Sequence, residues 1–177
     1  MTSTELDYLF EVVSPFVSLG RGEAGREKWA PSHFYSSPGV EVCARRLRGN
    51  KMRTTQALMD EFGAALQLFE GFGENWYALG ECLSYLDEWL PADVYVLVVE
   101  RAEELLVEEA ADLRALLKTL DDAAGFWSKP VLGNGRFDRG PVPFHVLLNL
   151  SGSGGHTTSR ERIQRAAADA GVEFRDE

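Results

Sequence analysis

The sequence predicts an α/β fold, a small three-stranded parallel sheet packed with helices, with an N-terminal extension and a C-terminal helical tail. Three observations predict it. Residues 94–99 (VYVLVV) are uniformly apolar and β-forming, as expected of a strand buried on both faces in a parallel sheet. Residues 40–47 and 142–150 are two further β-rich runs. The intervening stretches carry helical spacing, so the order is strand, helix, helix, strand, helix, helix, strand, an alternation that builds parallel sheets through right-handed crossovers.

Residues 1–39 show no sustained period and are broken by Gly20, Gly22, Gly25, Pro31, Pro38 and Gly39, which marks an extension of short strands and loops. The domain proper spans 40–150. Its first strand closes at Arg48-Gly49-Asn50, a turn. Thr54 is the expected N-cap of a helix to about Gln67, with Leu58, Phe62, Ala65 and Leu66 on one face. A glycine-broken loop, 69–74, leads to a second helix from about Asn75 to Glu88, which Pro91 forbids from continuing. After the central strand, helices are expected at 102–108 and 112–124. Residues 126–141 hold glycine and proline and form a loop insertion. Residues 151–177 are a Gly/Ser linker and a short helix opened by a capping box, Thr158-Ser159-Arg160-Glu161.

The 177 residues carry 28 acidic and 18 basic side chains, a net charge of −10. Phosphates repel such a chain, so neither nucleic acid nor an anionic membrane is expected as its direct partner. A basic protein is the electrostatic complement. The charge is localised: residues 60–122 hold 16 acids and three bases, a balance of −13, and the remainder balances at +3. Two cysteines, Cys43 and Cys82, make no disulfide framework, and with three scattered histidines they spell no zinc site. No signal peptide and no run near the roughly 18 apolar residues of a membrane span is visible. A cytoplasmic location is expected.

Catalytic patterns are missing. The SGSGGHTTS segment lacks the lysine of a phosphate-binding loop. There is no G-x-S-x-G, no H-E-x-x-H and no catalytic-cysteine context. His145 lies in an apolar strand, where a hydrogen-bonded structural role is the common one. Adjacent carboxylates such as Glu103-Glu104 and Asp121-Asp122 point different ways on a helix. No catalytic residue, metal or cofactor is expected.

The second helix is the informative one. Trp76, Leu79, Leu83 and Leu86 recur at helical spacing as a core stripe, with Cys82 beside it. The opposite face carries Tyr77, Glu81, Ser84 and Glu88. Gly80 sits mid-helix, at a cost of about 1 kcal/mol relative to alanine, so either something approaches closely there or a surface glycine is tolerated.

The run FGENWYALGECLSYLDEWL, the preceding RRLRGNKMRTTQALMDEFGAALQL and the following VYVLVVE resemble the barstar family, intracellular inhibitors of a secreted ribonuclease. The resemblance covers about residues 42–124, and 142–150 after a longer loop. It implies a three-stranded parallel sheet and a one-to-one complex with a basic, guanyl-type ribonuclease, whose active site receives the helix after the G-E-N turn. A carboxylate there takes the place of an RNA phosphate, in charge-assisted contacts to arginine. Glu81 stands where the family has its central aspartate. Tyr77 stands at a second aspartate, Gly80 at a tryptophan, Gly71 at a tyrosine and Thr119 at an outlying glutamate. The expected partner-binding set is Phe72, Asn75, Trp76, Tyr77, Gly80, Glu81, Ser84, Tyr85 and Glu88. The alternative is an interaction module that kept the scaffold without inhibiting a nuclease.

Overall fold

The computed structural model describes residues 6–22, 29, 39–135, 138–151 and 156–176. Five strands form one parallel sheet: β1 (Val17–Arg21), β2 (Val42–Arg48), β3 (Val94–Glu100), β4 (Phe144–Leu150) and β5 (Phe174–Asp176), in the order β2-β3-β4-β1-β5. The expected three-stranded sheet is therefore extended to five. The N-terminal extension supplies β1, which pairs with β4, and the tail supplies β5, which pairs with β1. Both are short, five and three residues, and their partners are distant in sequence, so local periodicity carries little trace of them. Their insertion makes β4 an interior strand, which accounts for its burial at every position.

Four helices follow the strands: α1 (Thr55–Leu66), α2 (Trp76–Ser84), α3 (Leu113–Trp127) and α4 (His156–Ala170). They form one layer on one face of the sheet, where α1, α2, α3 and α4 share a core with Leu47, Leu97, Val99, Val146 and Leu148. The crossovers from β2 to β3, β3 to β4 and β4 to β5 all step the same way across the sheet. The right-handed rule then places their helices together. The β1–β2 connection steps back across three positions, and the same rule assigns it to the opposite face. Trp29, from that connection, lies there in a second cluster with Leu9, Val42, Val96, Val98 and Leu147. Gly20 makes room for it: a Cβ at Gly20 would stand 2.3 Å from the Trp29 ring.

Local chemistry explains the boundaries. The Thr54 hydroxyl accepts from the Ala57 amide (3.3 Å), the expected cap of α1. The helix expected at 102–108 is replaced by a single 3-10 turn, Ala102–Glu104, and a second such turn, Ala110–Asp112, leads into α3. Long-range bonds outcompete the local ladder there: Leu106 N–H donates to Met52 O (2.8 Å), and Arg53 holds both Glu104 and Glu108. Leu105 and Leu106 are both fully buried, so the turn is anchored in the core. α4 begins at His156, two residues before the expected capping box. The Gly/Ser run at 152–155 and His33 lie outside the described residues. The insertion is pinned by Arg139, whose Nη1 donates to the carbonyls of Lys129 (3.1 Å) and Gly140 (3.2 Å) while its guanidinium lies 4.1 Å from the Trp127 ring centroid.

Cys43 and Cys82 are free and buried. His145 is buried in β4, and its Nε2–H donates to the Glu11 carbonyl at 2.9 Å, the structural role expected of it. No helix among the described residues is long and apolar enough to cross a membrane.

Candidate functional site

α2 starts where Asn75 caps it, the side-chain carbonyl accepting from Ala78 N–H (3.0 Å) while its amide donates to Gly73 O (2.7 Å). Leu79, Cys82 and Leu83 are buried, and Trp76 and Phe72 pack half-buried against the same core. Two indoles fix the helix in place. Trp127 Nε1 of α3 donates to Leu83 O (2.8 Å), and Trp89 Nε1 donates to Leu66 O at the end of α1 (2.9 Å).

The helix ends at Ser84 rather than Glu88. The chain then tightens into a 3-10 turn, Leu86–Glu88, that sends Leu86 into the core. The Ser84 hydroxyl donates to Gly80 O (2.8 Å), so it is committed to its own helix. Glu88 belongs to the turn, and the stripe from Tyr77 through Glu81 to Glu88 is not one continuous helical face. Gly80 is half-buried beside α3: a Cβ there would meet Thr119 Cγ2 at 3.6 Å, an ordinary contact. α3 is therefore the neighbour that Gly80 faces, and alanine would fit.

The outward surface combines exposed aromatics with acids. Tyr77 is 80% exposed, Phe69 59% and Tyr85 47%. The Tyr85 ring lies 5.6 Å from Phe126 of α3, and Phe69 lies edge-on to Trp89. Beside Phe126, a cavity of about 450 Å³ is lined by Asp121, Asp122, Lys129 and Val131. Burial, and then the charge of Asp122, raise the Asp121 carboxyl above its usual range.

Carboxylate partners sort the 16 acids of residues 60–122. Eleven are committed. Asp60 and Glu74 accept from Gln56, Glu61 from Arg48, Asp93 from the Glu41 amide, Glu103 from Ser151 and Glu109 and Asp112 from Thr55. Glu100 pairs with Arg46, Glu104 and Glu108 with Arg53, and Asp122 with Lys118. Glu70, Glu81, Asp87, Glu88 and Asp121 make neither hydrogen bond nor ion pair with any described residue. Four of the five lie on α2 or within its flanking segments, and Asp121 lies on α3, the helix packed against it.

Of the residues named from sequence, Tyr77, Glu81, Tyr85 and Glu88 are exposed around α2. Phe72, Asn75, Trp76, Gly80 and Ser84 shape or hold it. Phe69, Asp87, Asp121 and Phe126 also belong to this surface. For Asp121 and Phe126 no signal existed within the α2 segment, because another helix supplies them.

Fold and surface together define a parallel α/β scaffold presenting an acidic, aromatic patch around one short helix. The chain belongs to the barstar family: the model of that family, Barstar (barnase inhibitor), matches residues 42–149. No curated protein matches the chain. Among solved structures it is similar to one described as the structure of the Aeropyrum pernix ORC2 protein (ADPNP-ADP complexes), with a TM-score of 0.58 and 12% identity over 96% of this chain and 43% of that one. The chain thus spans less than half of that protein, and the likeness concerns the fold alone.

Proposed function

We propose that this chain binds a basic, guanyl-type ribonuclease one-to-one and covers its active site with the surface around α2, protecting the producing cell as an intracellular immunity protein. The observation that carries this reading is the set of uncommitted carboxylates. A carboxylate already paired within the fold has little to offer a partner, and the five of residues 60–122 without a partner among the described residues gather around one helix. Glu81 is the central phosphate mimic, exposed and reachable by arginine from the enzyme. Tyr77 and Tyr85 provide flanking apolar contact, and Phe72 and Asn75 hold the loop and helix start. Opposite fields accelerate encounter, so inhibition weakens as salt rises.

One observation favours a second reading, an interaction module for another basic protein. Tyr77 places an aromatic ring, 80% exposed, where the family carries an acid. Titration of the protein into guanyl-type ribonucleases while following RNA cleavage separates the two. Stoichiometric inhibition supports the first reading. No inhibition at micromolar protein, across several such enzymes and any nuclease encoded beside this chain, sinks it.

A further inference from the structure

Three cations that hold no carboxylate come together at one place in the fold. Arg46, Arg48, Arg53, Arg101 and Arg160 each hold a carboxylate. Arg114, Arg162 and Arg165 hold none among the described residues, and all three line one cavity of about 430 Å³ between the first turn of α3 and α4. Arg162 is the inner member. Its Nη2 donates to the carbonyls of Leu105 (2.8 Å) and Glu103 (3.2 Å), and its Nη1 is buried with no hydrogen-bond partner. Burial lowers its pKa, and no carboxylate counters that effect. Leaving a desolvated guanidinium uncompensated is costly, and in a chain of net charge −10 acids to pair with it are abundant.

The cavity wall adds to this field. Leu113 opens α3 there, and its cap residue Asp112 makes no side-chain cap bond, accepting from the Thr55 hydroxyl instead (2.7 Å). Glu161 and Asp169 also line the cavity, each four residues from Arg165 along α4, yet neither forms an ion pair with it.

We propose that this cavity binds the phosphomonoester group of a small molecule. The Arg114 and Arg165 guanidinium groups, with the positive charge of Arg162 behind them, suit a phosphate dianion, which accepts several charge-assisted bonds at once. The volume falls in the range of small-molecule sites, and a bare phosphate would leave most of it empty. Glu161 and Asp169 disfavour a second anionic group, so a monophosphate is preferred over a polyphosphate. The site is independent of the ribonuclease reading, since α2 contributes nothing to it.

The test is a titration of the full ¹⁵N-labelled chain with ribose 5-phosphate and with inorganic phosphate, each against sodium chloride at matched ionic strength. Saturable amide shifts are expected around Leu113–Arg114 and Arg162–Arg165, with ribose 5-phosphate binding more tightly. Arg165→Gln and Arg114→Gln are exposed changes that spare the Arg162 anchor. Each should weaken binding about tenfold, the worth of one charge-assisted bond. Equal shifts with chloride, shifts centred elsewhere, or unchanged affinity in both variants would overturn the proposal.

Discussion

Arg48 of β2 and Glu61 of α1 form a forked pair, Nε to Oε1 at 2.9 Å and Nη2 to Oε2 at 2.7 Å, and the Arg48 amide also donates to Oε1 at 2.9 Å. Glu61 is only 7% exposed, so this carboxylate ties α1 to the edge strand of the sheet. The Arg48 hydrogen bond, ahead of burial, which opposes it, holds its carboxyl below the usual range. Removing it as Glu61→Ala leaves the Arg48 amide without this acceptor, and a loss of about 1–2 kcal/mol is expected in urea unfolding. Because the folded pKa is depressed, the stabilisation is present above the unfolded value near 4.5 and is lost as pH falls through the folded one.

His145 gives the opposite end of the acid response. Burial is the main cause that lowers its pKa from 6.5, so the folded chain keeps it neutral while the unfolded chain takes up a proton. Stability is then unaffected well above pH 6.5 and declines as pH drops below it toward the folded value. Denaturant midpoints measured between pH 7.5 and pH 5 should fall for the wild type and flatten in His145→Gln. A flat wild-type profile would refute this account. That window lies above the range in which Glu61 acts.

Glu81 is exposed and pairs with no described residue, so Glu81→Lys should leave the circular dichroism and the unfolding midpoint unchanged within about 0.5 kcal/mol. Affinity for the ribonuclease should fall about 10- to 100-fold or more, the worth of a charge-assisted contact. Unchanged affinity would displace Glu81 from its role even with the inhibitor reading intact. Tyr77→Ala tests the aromatic flank in the same assay, with folding equally unaffected.

Gly80 separates helix stability from binding. Alanine meets only Thr119 Cγ2 at 3.6 Å, and the gain in helix propensity is about 1 kcal/mol. Gly80→Ala is expected to raise the thermal midpoint. A lowered midpoint would show that α2 and α3 pack more tightly than this spacing allows.

Strands β2 to β4, the α1 cap and the start of α2 were legible because they are local. β3 is buried on both faces, as its six-residue apolar run requires, and Thr54 and Asn75 cap helices through bonds to amides three residues on. The stretch after β3 misled for the opposite reason. Residues 102–108 have helical composition, but Arg53 and Met52, about fifty residues earlier, bind that segment into turns.

The same division runs through the candidate site. By itself the sequence determined strands β2 to β4, the α1 cap, the start of α2, the acidic excess of residues 60–122 and the exposed positions Tyr77 and Glu81, all of them set by spacing within one segment. Only the tertiary structure decided that β1 and β5 widen the sheet, that Gly80 faces Thr119, and that Asp121 and Phe126 join the surface of α2. It also decided which carboxylates remain uncommitted, since charge is a property of composition while pairing depends on residues that folding brings within about 4 Å of each other. Glu61 and Glu81 are the same residue type in the same acidic stretch. Folding seats one against Arg48 and leaves the other facing solvent.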